Sequence, residues 1–394
     1  MKNHNYCKTK ILWFTLSLLA LPGMLAACDL AEEAENGNSQ ANSLSIMTWN
    51  LQALFDGSDD GNEYDDYLSS AGWSKEKYKG RISVIAKAIS GMESAPDIIA
   101  FQEIESKQVI TDLAEALSGS GYTWTHFANS PDMSLGIGIL SSYPLTEAKA
   151  HSININGDAT PRPILEVRVN AEKPKANKDN TVDKSLVLFV CHWKSKLGGE
   201  ALTEEARKAS ARIIVRRIRE LDAQEPGMPV IVLGDLNENY DEFYRRNGEA
   251  ICALLPDDPR SAELTSFHKT GECDTKLCAN LQKDFFIVSK NKPPQTRYFC
   301  EQAVALYSPW TNEMENGSYY YKNNWETIDH FLLSHQFFNG DNWEYNTCSV
   351  IDYPPFASTT GRPTGYNPRT GYGMSDHLPL LLSLKWEQGS IHGQ

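Results

Sequence analysis

The stretch that most constrains this chain is Pro229-Val230-Ile231-Val232-Leu233-Gly234-Asp235-Leu236-Asn237-Glu238. Four apolar, mostly β-branched residues run without a break and stop at a glycine. That is the pattern of a strand buried on both faces, with polar residues at its exit. Asp235 and Asn237 stand two residues apart, so in extended backbone they point to the same side and can address one substrate atom. Taken alone, Gly-Asp-Leu-Asn is also good turn chemistry. Five other stretches carry such residues at one end of an apolar run, and this tips the reading toward a site.

Leu44 to Leu51 alternates apolar and polar residues and closes on Asn50. Pro96 to Glu103 is a second buried run with a carboxylate at its end. Ser185 to His192 ends in histidine, and Ile328 to Ser334 carries Asp329 at its start. Gly373-Met374-Ser375-Asp376-His377 leads into the apolar run Leu380 to Leu384. Gly136 to Ser142 and Pro163 to Val169 read as further strands. Helical periodicity runs through Lys75 to Gly91, Val109 to Leu117 and Glu204 to Leu221. The last helix carries Arg207, Lys208, Arg212, Arg216, Arg217 and Arg219, a run that reads better as a solvated outer face than as a nucleic-acid stripe. Asp56 to Asp66 is an acidic loop without clear metal spacing. Residues from about 240 to 325 read as an irregular, Cys-rich insertion at the surface.

The N-terminus is different in kind. Lys2, Lys8 and Lys10 precede the apolar run Ile11 to Ala20, which identifies residues 1–27 as a signal peptide. Its end, Leu25-Ala26-Ala27-Cys28, is similar to the lipobox of bacterial lipoproteins. Cleavage before Cys28 leaves a thiol for a diacylglycerol group and an amine for a further chain, and more than one acyl chain anchors stably. Residues 28–43 then form a flexible tether, residues 44–386 one domain, and residues 387–394 a tail. Without its three leader lysines the chain is more acidic than the whole, whose net charge is −14. Such a surface does not bind nucleic acid passively, but a bound cation inverts the local field and permits chemistry on phosphates. Export also makes disulfides expected among Cys191, Cys252, Cys273, Cys278, Cys300 and Cys348. Zinc at Cys273 and Cys278 lacks a second close pair.

Carboxylates, a carboxamide and histidines gathered at strand exits are what metal-assisted phosphoryl chemistry requires. Oxygen ligands hold a hard cation such as Mg²⁺, which neutralises charge developing on the phosphate. A histidine paired to a carboxylate activates water, and a second one stabilises or protonates. The ordered set Trp49-Asn50, Gln102-Glu103, His192-Trp193-Lys194-Ser195-Lys196, Gly234-Asp235-Leu236-Asn237, Ile328-Asp329-His330 and Ser375-Asp376-His377 resembles the endonuclease/exonuclease/phosphatase superfamily, the DNase I-like fold. The resemblance spans Leu44 to Leu384. It implies a four-layer α/β sandwich, two packed mixed sheets flanked by helices, with the site where the strand ends of both sheets meet. It further implies Glu103, Asn50 and Asp376 as ligands of Mg²⁺ (or Mn²⁺ or Ca²⁺). Asp235 and Asn237 would orient the attacking water and the phosphate, and His377, oriented by Asp329, would be the catalytic histidine. His192 matches the second histidine of the nuclease and sphingomyelinase branches, in place of the tyrosine of apurinic endonucleases. Arg162, Lys194 and Lys196 would contact substrate phosphate, since His-Trp-Lys-Ser-Lys is similar to a phrase of secreted bacterial nucleases.

The expected activity is therefore metal-dependent phosphodiester hydrolysis, with extracellular or periplasmic nucleic acid as the first substrate. A phospholipid, sphingomyelin or inositol-phosphate substrate is the alternative on the same scaffold. Tyr319-Tyr320-Tyr321 and Trp325 are candidates for a lipid-facing hairpin, though strand packing accounts for them equally well. A catalytically silent surface-binding lipoprotein ranks last, because every expected site residue is present. The membrane enters as a partner through lipidated Cys28, and no protein partner is implied.

Overall fold

The computed structural model describes residues 43–131, 133–155, 158–171, 184–265 and 284–387. The expected leader, Cys28, the tether up to residue 42, Cys273, Cys278 and the tail beyond Glu387 lie outside them. Among the described residues no helix is long and apolar enough to cross a membrane.

One sheet has six strands: β1 (Ser43–Leu54), β2 (Ile98–Ile104), β3 (Trp124–Ala128), β4 (Gly136–Ser141), β15 (Asn342–Val350) and β16 (Leu380–Glu387), in the order β15-β16-β1-β2-β4-β3. The other has eight: β5 (Leu145–Ile155), β6 (Asp158–Asn170), β7 (Ser185–His192), β8 (Val230–Asp235), β9 (Leu254–Pro256), β10 (Phe286–Ser289), β11 (Ala305–Tyr307) and β14 (Asp329–Leu333). Their order is β5-β6-β7-β8-β14-β11-β10-β9. Both sheets are mixed, with β1 parallel to β2 and β7 parallel to β8 while their other neighbours run antiparallel. A small hairpin of β12 (Tyr319–Tyr321) and β13 (Asn324–Glu326) stands apart.

Alternation along the strands explains the layering. In β8, Ile231 and Leu233 join Ile46, Ala100, Leu188, Phe331 and Leu382 in a core between the sheets. Their neighbours Val230 and Val232 pack instead with Ile214 and Val215 of helix α3 (Glu200–Gln224). On the other side Met47, Ile99 and Phe101 meet Ile85 and Ile89 of α1 (Lys75–Ser90) and Ile110 and Leu113 of α2 (Lys107–Ala116). Period-two burial on both faces of a strand needs a layer on each side. The result is the four-layer α/β sandwich: helices, sheet, sheet, helix.

Three expectations need correction. The stretch after the β8 motif is not irregular throughout. It supplies β9, β10 and β11 to one edge of the larger sheet, with short helices α4 (Glu242–Arg245) and α5 (Pro259–Leu264), and a satellite core of Phe243, Leu255, Phe285, Ile287 and Phe299. The cysteines expected in disulfides are free thiols at Cys191, Cys252, Cys300 and Cys348; Cys191 and Cys348 sit in different apolar cores. The basic run on α3 is a solvated face only in part, at Arg212, Arg216 and Arg219. Arg207 is buried between Glu204 (2.7 Å) and Glu238 (2.9 Å), and Arg217 bridges to Glu166 at 2.9 Å. These guanidiniums pin the helix to the sheet, and Arg212 and Arg216 pair with Asp284 and Glu220.

Candidate active site

The site is the polar end of the core between the sheets. On β7 the row Leu186, Leu188, Val190 faces the opposite sheet, and the next residue of that row is His192. On β8 the row Ile231, Leu233 continues to Asp235, and on β14 the row Leu333, Phe331 ends at Asp329. The register sets these three side by side, His192 opposite Asp235 and Asp235 opposite Asp329. From the other sheet, Asn50 extends the row of Ile46 and Thr48. The rule that packs the core thus also aims the polar residues at one point.

Gly234 makes the close approach possible. Its φ is +122°, and a Cβ there would lie 2.1 Å from the carbonyl oxygen of Cys191 on β7. Only glycine fits such a position.

Glu103 needs a different device. Ile98 and Ala100 of β2 face the other sheet, so strict alternation would turn Glu103 toward the helices with Ile99 and Phe101. The register of β2 slips between Gln102 and Ile104, and Glu103 has φ +60°. This bulge swings the carboxylate back to the site. There its Oε1 accepts from Asn50 Nδ2 at 3.2 Å, and its Oε2 accepts from the Ala53 amide at 2.9 Å. Asn50 Nδ2 also donates to Asp235 Oδ2 at 3.0 Å, so one carboxamide bridges carboxylates from the two sheets. His192 Nε2 lies 3.5 Å from Asp235 Oδ2 and 3.6 Å from Glu103 Oε1.

His377 arrives from the segment before β16. Its Nδ1 meets Asp329 Oδ2 at 2.8 Å, and Ser318 Oγ donates to the same oxygen at 2.5 Å. The His377 amide donates to Ser375 Oγ, which in turn donates to the Asn50 carbonyl at 2.6 Å. Trp49 Nε1 donates to the His377 carbonyl at 3.0 Å. The Tyr319 ring lies against the imidazole, centroids 4.6 Å apart. Asp235, Asp329 and His377 each place a donor atom within 4.8 Å of the others.

The charges follow from burial and pairing. Burial alone would lower the His377 pKa, but the Asp329 carboxylate outweighs it and holds the imidazole near about 10, charged at neutral pH. For His192, burial acts with the nearby Arg162 and His377 charges to keep it well below the usual histidine range, so it is neutral. Burial, reinforced by Asp329, raises Asp235 to about 7. Burial and pairing thus drive the two groups in opposite senses, His377 toward its charged form and Asp235 toward a carboxyl that can hold a proton.

The remaining candidates separate. Asn237, at φ +51°, donates from its amide to Asp235 Oδ1 at 2.9 Å and from Nδ2 to the Trp193 carbonyl at 3.1 Å. Arg162 donates to the same carbonyl and lines, with Lys194, a pocket of about 210 Å³. Asp376 is half-buried; burial raises its carboxyl, and Glu103 is among the charges that add to this. Lys196 is drawn elsewhere, to Glu242 at 2.5 Å, because that buried carboxylate needs a counter-charge. Sequence reasoning missed Ser318, which fixes Asp329, and the packing of Tyr319 on His377. Neither carries a strand-exit signal, since both precede the hairpin turn.

A family model described as "Endonuclease/Exonuclease/phosphatase family" matches residues 45–248. The chain belongs to the endonuclease/exonuclease/phosphatase family. It is accordingly a hydrolase of the phosphoesterase type. Similar solved structures include a truncated TDP2 from Caenorhabditis elegans (13% identity, 87% of this chain and 97% of that chain, TM-score 0.47). Family proteins from Bacteroides thetaiotaomicron (16%, 87% and 97%, TM-score 0.45) and Leptotrichia buccalis (12%, 87% and 99%, TM-score 0.46) are similar too. No curated protein sequence matches the chain.

Proposed function

We propose that this family member is a metal-dependent phosphodiesterase that cleaves nucleic acid outside the cytoplasm, anchored to a bacterial membrane through lipidated Cys28. The observation that carries the reading is the convergence, at the strand ends of the two sheets, of Asn50 and Glu103 with His192, Asp235 and the Asp329–His377 pair, whose polar atoms lie 2.8 Å apart. In-line attack by water on a phosphodiester needs a proton acceptor on the entering side. It also needs positive charge or a proton donor for the phosphate and the leaving oxygen. Asp235 takes the proton from water, with Asn237 and Asn50 fixing its carboxylate. His377, held by Asp329, stabilises or protonates on the opposite side. His192 offers a neutral imidazole to the phosphate, and Arg162 and Lys194 extend the cationic rim.

The donor set fits a hard divalent cation. Glu103 and Asp235 are brought together by Asn50, and among the described residues Glu103 has His192 as its ion-pair partner, a histidine that burial keeps neutral. Carboxylate and carboxamide oxygens gathered at one point favour oxygen-ligated Mg²⁺, or Mn²⁺ or Ca²⁺. Glu103, Asn50 and Asp376 would hold it, and it would supply charge neutralisation on the phosphate.

A phospholipid or sphingomyelin phosphodiester is the second reading. It is favoured by the apolar wall of the pocket beside Arg162 and Lys194, formed by Ile153, Ile155, Leu202 and Ala206. The deciding experiment gives the full-length chain in mild detergent single-stranded circular DNA, plasmid DNA or sphingomyelin micelles, with Mg²⁺ or with EDTA. Metal-dependent nicking that is lost in His192→Ala supports the nuclease. Intact DNA beside cleaved lipid would transfer the same site to the second reading.

A further inference from the structure

The β12–β13 hairpin carries an aromatic ladder that begins on the catalytic histidine. Tyr319 and Tyr321 are two residues apart on one strand and share a face. Tyr319 packs on His377 at 4.6 Å, and Tyr321 stacks on Tyr319 at 6.1 Å with planes 16° apart. The intervening Tyr320 points the other way and has a packing role, against Trp325 at 5.0 Å and beneath Arg362. Tyr321 stays 51% exposed. The Lys322 ammonium is 5.0 Å from its ring centre.

The hairpin is rigid and fixed to the site. Lys322 and Asn323 both have positive φ, 47° and 66°, as in the mirror-image two-residue turns that match strand twist. At its base Ser318 holds Asp329, the Leu378 amide donates to the Ser318 carbonyl at 2.7 Å, and Tyr319 bridges to His377. An exposed ring at a set distance from the reacting phosphate, with a cation beside it, suits a flat base and its backbone charge.

We propose that Tyr321 is a stacking platform for an unpaired base next to the scissile phosphate, with Lys322 meeting the adjoining phosphate, so that the substrate is a single strand. This rests on the nuclease reading and narrows it. Bases in a duplex already stack on both faces, whereas single-strand binders combine exposed aromatics with cations along the backbone.

The test compares kcat/KM of the full-length chain with Mg²⁺ on two substrates, a single-stranded tetranucleotide and methyl p-nitrophenyl phosphate, which has no base. In Tyr321→Ala the ratio of the two falls about 5- to 150-fold, the range for one base–aromatic stack. Tyr321→Phe restores it, since phenylalanine keeps the ring. Wild type loses the same ratio when the tetranucleotide is abasic at the stacked position, which needs no variant at all. An unchanged ratio in Tyr321→Ala, or indifference to the abasic position, overturns the proposal while leaving the nuclease intact. Turnover of the small ester with no cleavage of any oligonucleotide would instead overturn the nuclease reading itself.

Discussion

Replacing Asp329 with asparagine keeps the shape of the site and removes one charge. In the native chain that carboxylate is buried and lies 2.8 Å from His377 Nδ1. Against the effect of burial it lifts the imidazole, with Asp376 and Asp235 adding to it, from 6.5 to about 10. At about 1.4 kcal/mol per pKa unit, this favours the imidazolium by roughly 5 kcal/mol. In Asp329→Asn burial is opposed only by the Asp376 and Asp235 charges, so the His377 pKa falls and the imidazole gives up its charge at lower pH. Losing one oriented charge stabiliser costs about 10²- to 10³-fold in kcat, and we expect a loss of that size at pH 8. The pH profile supplies the sharper signature. Asp329 also raises Asp235, so its removal lowers both the base and the acid limb. The wild-type kcat/KM rises through about pH 7, where Asp235 ionises, and holds until His377 loses its proton near about 10. The variant optimum moves to the acid side, and its relative activity recovers toward about pH 6 as His377 recharges. The assay is methyl p-nitrophenyl phosphate hydrolysis at saturating Mg²⁺ across that range. A variant with the wild-type optimum would refute the assignment of His377 as the charged partner held by Asp329.

Other expectations are simpler to read. Glu103→Ala abolishes hydrolysis while leaving the circular dichroism spectrum and thermal midpoint near wild type, because Glu103 is partly exposed and its loss opens no core; substantial turnover without it would reject its role at the cation. Gly234→Ala destabilises by about 2 to 4 kcal/mol, from a strained φ and the clash with the Cys191 carbonyl, and a denaturant midpoint equal to wild type would contradict the close strand approach. Cys28→Ala releases the chain from membranes into the soluble fraction, and continued sedimentation with membranes would reject the lipid anchor.

Much of the fold was legible because β8 and its neighbours show their burial in plain runs. The polar residues that end those runs, His192, Asp235, Asp329 and Asn50, were legible for the same reason: each is the next position of a core-facing row. Glu103 was found by residue type and place, yet its direction was not. Strict alternation sends it to the wrong face, and the bulge that corrects it depends on a backbone angle that apolar patterning does not encode. Lys196 looked like a phosphate contact in its motif, but its partner Glu242 is brought in by a distant short helix. Arg207 and Arg217 of α3 were misjudged because acidic partners of theirs, Glu238 and Glu166, lie off the helix. Cysteine counting suggested staples where packing made Cys191 and Cys348 apolar fillers.

The proposed site joins residues from two sheets in one cation-assisted centre for phosphodiester cleavage, with His377 in its middle. Steady-state hydrolysis of methyl p-nitrophenyl phosphate by wild type and His377→Ala, each with Mg²⁺ and with EDTA, tests it most directly. We expect turnover by wild type with Mg²⁺ alone, and at least about a hundredfold less by the variant. Equal rates for the two proteins, or a wild-type rate indifferent to EDTA, would contradict it.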